Sequence, residues 1–236
     1  MPVRPRTADP YSDLDVIDTR APRFNQTVVG LGSLITVLTG WWLIVAALAI
    51  QLGIGLRFGR RYCIPCVTYF SLIQPRFGEG PVEDSRPPRF ANQIGVTVLS
   101  ASTLGYVIGV PVLGAALAAL VAALALLAAV TGFCTGCWVY RIGARIRGIR
   151  ARRLDHVDLS ELGVSGRHTG ELVVAFGHPL CTDCQAFEAE VRASGRRLVS
   201  VDVRSQRKIA KKYGVALVPT AVAVTPDGRV VARLAG

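Results

Sequence analysis

Two long stretches of the chain, residues 24–56 and 90–140, contain no Asp, Glu, Lys or Arg and are dominated by apolar residues. Uncharged apolar runs of this length predict membrane-spanning helices. At about 1.5 Å per helical residue the second run would reach roughly 76 Å as one helix, against a hydrocarbon core of about 30 Å. It is therefore expected to cross twice, turning where Gly109 and Pro111 interrupt the helical pattern. The first run is too long for one crossing and short for two, so its length alone leaves the number open.

An internal repeat resolves it. "APRFNQ" at 21–26 returns as "PPRFANQ" at 87–93, and each copy runs through its apolar stretch into a cysteine pair, "CIPCVTY" at 63–69 and "CTGCWVY" at 134–140. If the second copy crosses twice, the first is expected to do so too, turning near Gly40, Trp41 and Trp42 with the tryptophans at the interface. The pattern thus predicts an all-α membrane bundle of four transmembrane helices in two parallel hairpin repeats, 21–69 and 87–140.

Charge supplies an orientation. The 236-residue chain carries a formal net charge of +11, yet all 27 Lys and Arg lie outside the two apolar stretches. With two crossings per repeat, both termini and the 57–89 connection share the basic side, which the positive-inside rule places in the cytoplasm. The multi-pass protein is then expected in the cell membrane, with Arg141, Arg145, Arg147, Arg150, Arg152 and Arg153 holding anionic lipid headgroups and not nucleic acid. Residues 1–22 form a polar N-terminal segment without the apolar core of a secretory signal. The absence of ionisable residues from the apolar stretches argues against a pump or secondary transporter.

Beyond a linker at 154–167 the composition becomes that of a water-soluble domain. "ELVVAF" and "RLVSVDV" read as strands, "CQAFEAEVRAS" and "SQRKIAKKYGV" as helices, and "TAVAVT" with "RVVARL" as a hairpin around "PDG". The predicted order is β-α-β-α-β-β over 168–236. Here Cys181-Thr182-Asp183-Cys184 opens a helix after a strand, and Val218-Pro219-Thr220 precedes the third strand. On those residues, with "KKYGV" and "PDGRVV", the region resembles the thioredoxin family. The resemblance implies an α/β thioredoxin-like domain in which a cis Pro219 lies against a redox-active pair. It departs from the family in the Thr-Asp between the cysteines, in Ala175 where a buried acidic residue is expected, and in lacking the final helix.

All six cysteines fall in Cys-x-x-Cys pairs: Cys63/Cys66, Cys134/Cys137 and Cys181/Cys184. The thioredoxin resemblance implies that Cys181, with an exposed sulfur at a helix N-terminus, attacks as thiolate and that Cys184 resolves the mixed disulfide. Asp183 disfavours the thiolate and should make the pair more reducing. His178 either relays a proton or is an exposed loop residue without a role. Two readings are open for the other pairs, both expected at the cytoplasmic interface. Either they exchange disulfides with Cys181 and Cys184, or Cys63, Cys66, Cys134 and Cys137 clamp one zinc or iron as a four-thiolate site. The first makes the protein a membrane-bound thiol–disulfide oxidoreductase that passes electrons to or from a cytoplasmic thiol protein. The second makes it a metal-binding scaffold with a redox domain attached.

Residues 20–150, with repeated Pro-Arg-Phe and Asn-Gln before "FCTGC", also resemble a bacterial four-helix membrane family without a characterised activity. The joining of such a bundle to a thioredoxin-like domain is similar in architecture to the vitamin K epoxide reductase-like family. That likeness implies a third design, a thiol oxidase linked to a bound quinone. Asn25, Gln26, Asn92 and Gln93 are then either helix-capping and interhelical groups or the polar lining of a quinone pocket.

Overall fold

The computed structural model describes residues 8–144, 146, 155–162, 170–215 and 217–235. The chain divides into two compact units. The first, residues 8–80 and 85–140, is helical. It opens with the short strand β1 (Val16–Asp18), followed by the hairpin of α1 (Arg20–Thr39) and α2 (Leu43–Phe58). Cys63 precedes α3 (Ile64–Thr68), after which a π turn over Tyr69–Ile73 leads into α4 (Gln74–Phe77). A second hairpin, α5 (Arg86–Val107) and α6 (Pro111–Thr131), leads into α7 (Thr135–Ala144). The turns fall where the sequence places them: Gly40 takes φ +75° between α1 and α2, and Gly109 takes φ +81° between α5 and α6, a region that glycine enters without steric cost.

The four expected transmembrane helices are not found. Among the described residues only α6 is long and apolar enough to cross a membrane, and α2 is apolar but shorter. The physical reason is that a charge-free stretch is not the same as an apolar one. The 16 residues of α2 span about 24 Å, short of a roughly 30 Å core. Helices α1 and α5 begin inside the Pro-Arg-Phe segments and carry Arg, Asn, Gln, Ser and Thr along their length. The assignment of both termini to the cytoplasm needed an even number of crossings, and it does not follow from one candidate span. Of the basic run, Arg141 lies in α7, whereas Arg145, Arg147, Arg150, Arg152 and Arg153 lie outside the described residues.

The two repeats pack crosswise. The main helix pairings are α1 with α6, α5 with α6 and α2 with α5, around a core of Val29, Val45, Leu52, Leu99 and Ala118. Ser102 donates to the Gly114 carbonyl at 2.7 Å, and the backbones of α5 and α6 approach so closely that a Cβ on Gly105 would sit 3.0 Å from the Gly114 nitrogen. Each repeated motif has a structural counterpart. The phenylalanine of each Pro-Arg-Phe stacks on the tyrosine of its own Cys-x-x-Cys-x-x-Tyr, Phe24 on Tyr69 at 6.1 Å and Phe90 on Tyr140 at 5.5 Å between ring centroids. The arginines reach into the other repeat. Arg23 covers Gly132 just beyond α6, and Arg89 donates to the Leu56 carbonyl at 3.5 Å near the end of α2. A cation at a helix C-terminus is favoured by the partial negative charge there.

The N-terminal segment is tied down by Arg60, whose guanidinium donates to the carbonyls of Pro10, Asp13, Leu14 and Val16. Burial, and then the neighbouring charge of Arg89, lower its pKa to about 10. Beside it, Asp18 is 3% exposed. Its carboxylate accepts from the Tyr69 hydroxyl (2.9 Å), the Gly80 N–H (3.0 Å), the Arg20 N–H (2.9 Å) and the Gln74 side chain (3.4 Å).

The second unit comprises β2 (Val82–Asp84) with residues from Arg141 onward. Its elements follow the order read from the sequence: β3 (Leu172–Gly177), α8 (Thr182–Ala193), β4 (Arg197–Asp202), α9 (Arg207–Lys212), β5 (Thr220–Val224) and β6 (Val230–Ala235). The four strands from β3 onward form one mixed sheet in the order β4-β3-β5-β6, with β3 parallel to β4 and antiparallel to β5, and β6 antiparallel to β5. Central β3 is buried at every position, as its unbroken apolar sequence requires. Val174, Phe176, Val201, Tyr213, Val222 and Val224 form the core. Part of the expected linker joins that core: Val157 and Leu159 are buried in it, and the Val157 N–H donates to the Gly228 carbonyl at 2.8 Å.

Candidate dithiol sites

The three cysteine pairs differ in state and surroundings. Cys181 caps α8, with its own N–H donating to the His178 carbonyl at 2.9 Å and its sulfur accepting the Cys184 N–H at 3.2 Å. The two sulfurs are joined as a disulfide across a Cα separation of 5.2 Å. Local sequence explains the placement. Gly177 ends β3 where a Cβ would come within 3.3 Å of the Cys184 Cβ, so the helix start packs directly on the strand end. The Gln185 side chain donates to the Pro179 carbonyl at 2.6 Å, fixing the loop before the pair. The Val218–Pro219 peptide is cis.

Two expectations for this pair change. Cys181 is buried, at 1% exposure, where an exposed sulfur was expected. The Thr182 hydroxyl beside it accepts the N–H of Val82 from β2 at 2.9 Å. His178 is also buried, not an exposed loop residue, and its Nδ1 accepts the Leu180 N–H at 3.2 Å. Burial follows from its position directly after β3.

Cys63 and Cys66 are likewise joined as a disulfide, with a Cα separation of 5.1 Å. Cys63 packs against α2 at Gly55, where a Cβ would lie 3.1 Å from its own Cβ. Both cysteines line a cavity of about 250 Å³ that also touches Asn25 and Asn92. Cys134 and Cys137 are not joined as a disulfide, and the Cys137 N–H donates to the Cys134 sulfur at 3.2 Å. Cys134 borders a separate cavity of about 190 Å³, again touching Asn25 and Asn92. The equivalent asparagines of the two repeats meet between these cavities, where Asn25 donates to Asn92 at 3.4 Å. Asn25, Gln26 and Asn92 therefore lie within their helices as interior contacts and not as caps, while Gln93 is exposed and its backbone carbonyl accepts the Thr97 hydroxyl at 3.0 Å.

Among the described residues no three His, Cys, Asp or Glu side chains come together as a metal-binding group. The four-thiolate clamp is thus not formed. One pair is already closed as a disulfide, and the other holds its two sulfurs to each other.

The Cys134 thiol is held down to about 6. The hydrogen bond from the Cys137 side chain is the largest cause; burial opposes it, and the N–H groups of Cys137 and Gly136 and the Gln26 side chain add to it. A thiol at this value is about 90% thiolate at pH 7, against about 3% for an ordinary cysteine. Iodoacetamide alkylation mapped by peptide mass spectrometry is therefore expected to rise through pH 6 at Cys134 and to be nearly level by pH 7. Gln26→Leu should move the midpoint upward. A wild-type midpoint above pH 8 would contradict the described geometry.

Sequence reading missed two residues. Asp18 is signalled by a longer repeat, since "DTRAPRF" at 18–24 matches "DSRPPRF" at 84–90. Gln51 is signalled as the only amide in the apolar run "LIVAALAIQLGIG" of α2.

Taken together, these features define a two-part dithiol protein: a crossed helical bundle with one cysteine pair per repeat, and a small mixed-sheet unit with a disulfide at a helix start. A family model described as a domain of unknown function, DUF4395, matches residues 17–145, more than half of the chain and nearly all of the bundle. The chain belongs to that family. No match to the thioredoxin family accompanies it. No curated protein and no solved structure matches.

Proposed function

We propose that this chain is a membrane-associated thiol–disulfide oxidoreductase whose Cys181–Cys184 pair exchanges disulfides with a thiol protein and with the two pairs of the bundle. The observation that carries it is the closed disulfide at the start of the 12-residue α8, beside a strand end, in a sheet whose next strand begins after a cis proline. The strand order, the parallel β3–β4 pair and that proline support the resemblance to thioredoxin. Unpaired N–H groups at a helix start favour the thiolate that attacks. In exchange, Cys181 thiolate attacks a partner disulfide, one partner sulfur leaves as thiolate, and Cys184 then displaces the other as the Cys181–Cys184 bond closes. Because Cys181 is buried, attack on a partner requires it to be uncovered first, and the Val82–Thr182 hydrogen bond is one contact to be broken. Helix α6 is the element that would hold the protein in a membrane.

The test is trapping. A Cys184→Ser variant cannot resolve the mixed disulfide, so Cys181 should accumulate in covalent adducts. Digestion and mass spectrometry of the non-reduced full chain are expected to find Cys181 linked to Cys63, Cys66, Cys134 or Cys137, or to a partner thiol. If Cys181 in this variant stays a free thiol under conditions that oxidise the wild-type pair, the proposal is wrong.

A further inference from the structure

Three cavities in the bundle share one buried amide. Asn25, 4% exposed, borders all of them, and its Oδ1 accepts no hydrogen bond from the described residues. Gln51 on α2 has both its side-chain oxygen and its nitrogen buried without a partner. A buried polar group left unpaired costs about 1–3 kcal/mol. Ser33, Thr36 and Ser102 are the other buried polar residues of these helices, but only these three amide atoms sit on residues that line the cavities, and they call for a function.

Both amides face the same elongated cavity of about 780 Å³. It extends along α2 from Trp41 and Trp42 to Gln51, about 14 Å at the helical rise, between walls of Leu43, Ile44 and Leu48. Among the described residues no charged one lines it. At Asn25 and Leu52 it adjoins the smaller cavity lined by Cys63 and Cys66. An occupant suited to this space is uncharged, long and apolar, with polar atoms at one end. An ion would be desolvated without a countercharge. Its polar end must satisfy one N–H donor and two carbonyl acceptors beside a disulfide. Side-chain amides present both polarities, so the same residues can donate to a carbonyl and accept from a hydroxyl. A quinone has the first group and its hydroquinone the second.

We propose that Asn25 and Gln51 hold the head of a tailed quinone beside the Cys63–Cys66 pair, with the tail lying along α2 toward Trp41. In the reaction, the two S–H bonds of reduced Cys63 and Cys66 break and one S–S bond forms. The two electrons and two protons pass to the carbonyl oxygens of the quinone, giving the hydroquinone. This deepens the oxidoreductase reading, on which it depends only for the source of the electrons that reduce Cys63 and Cys66.

The experiment uses the full chain in detergent with decyl-ubiquinone as probe. Binding is read from quenching of tryptophan fluorescence, since Trp41 and Trp42 line the cavity. Gln51→Leu keeps the side-chain volume while removing both unpaired atoms, so it should fold at least as well as wild type. It is expected to bind decyl-ubiquinone at least about tenfold more weakly. In a Cys181→Ser/Cys184→Ser background, chemically reduced and kept anaerobic, one equivalent of decyl-ubiquinone should close Cys63–Cys66, read as protection from alkylation. Equal affinity of wild type and Gln51→Leu, or displacement of the probe by decane at equal concentration, would assign the cavity to an acyl chain and overturn the proposal. So would Cys63 and Cys66 that remain alkylatable after quinone addition. Because these measurements omit Cys181 and Cys184, failure of exchange at that pair leaves their result readable.

Discussion

A Cys181→Ser variant is expected to lose disulfide exchange by at least about 10³-fold, the scale on which removal of a covalent nucleophile acts. Serine at this position can still accept the residue 184 N–H that Cys181 accepts at 3.2 Å, so α8 keeps its cap and the fold should survive. What disappears is chemistry. A hydroxyl is not ionised near neutral pH and forms no bond of comparable exchange with a disulfide, so no mixed intermediate arises. The appropriate measurement is the rate at which the full chain, reduced beforehand, opens a chromogenic disulfide reagent. In a Cys63→Ser/Cys66→Ser background, where the other bundle pair contributes no thiol, the chain that keeps Cys181 should react in two phases, one from Cys181 and one from the dithiol pair at Cys134 and Cys137. The variant should keep only the second. If Cys181→Ser retains both phases, the reactive sulfur lies elsewhere and Cys134 becomes the leading nucleophile. The unaltered reactivity of Cys134 serves as an internal control for folding, because that thiol depends on Gln26 and the α7 start and not on α8.

Asp18→Ala should be the most damaging single change in the bundle. It removes one buried carboxylate oxygen that three donors share, from Tyr69, Gly80 and Gln74, and another that accepts the Arg20 N–H. Each donor left unpaired costs about 1–3 kcal/mol, and the Tyr69 side chain is buried, so a loss of about 3–5 kcal/mol is expected. For a unit of this size that corresponds to a fall of about 10–20 °C in the melting temperature, measured by fluorescence scanning of the full chain in detergent. Tyr69→Phe removes a single bond and should cost about 1 kcal/mol. It should cost almost nothing once Asp18 is already alanine, because the two changes delete the same contact. The Tyr69 hydroxyl, pushed above the ordinary tyrosine range by burial and then by Asp18, stays a proton donor across the pH range in which the protein would be studied. A melting temperature within 2 °C of wild type for Asp18→Ala would mean that water replaces the carboxylate, and that the turn after Cys66 is held by packing alone.

The legible parts of this molecule were those set by local chemistry. Gly40 and Gly109 end helices because a positive φ suits them, and the alternation of apolar runs with turn residues predicted every strand of the mixed sheet in order. The repeat was legible too, although its meaning was not. Pro-Arg-Phe reads as a signature until the packing shows each phenylalanine on the tyrosine of its own copy and each arginine on the far copy. Membrane crossing was misread because freedom from charge was counted as apolarity, although Asn25, Ser33, Thr36 and Ser102 in the same stretches are buried polar residues of the bundle. Burial of His178 and Cys181 was illegible for a different reason. Both lie in a short loop whose exposure is decided by tertiary neighbours that no periodicity reports.

The exchange of arginines between repeats bears on how such a bundle can be divided. A single hairpin with its cysteine pair carries an arginine whose docking site belongs to the other hairpin, and presents a helix end that the other hairpin's arginine covers. Each half therefore lacks one of its helix-end contacts when taken alone. A cut through the connection at 80–85 would turn one intramolecular closure into an association between two incomplete pieces, with the loss of effective concentration that such a change brings. The repeated segment and the packed unit therefore do not coincide: the sequence repeats the hairpin, but the packing joins the pair.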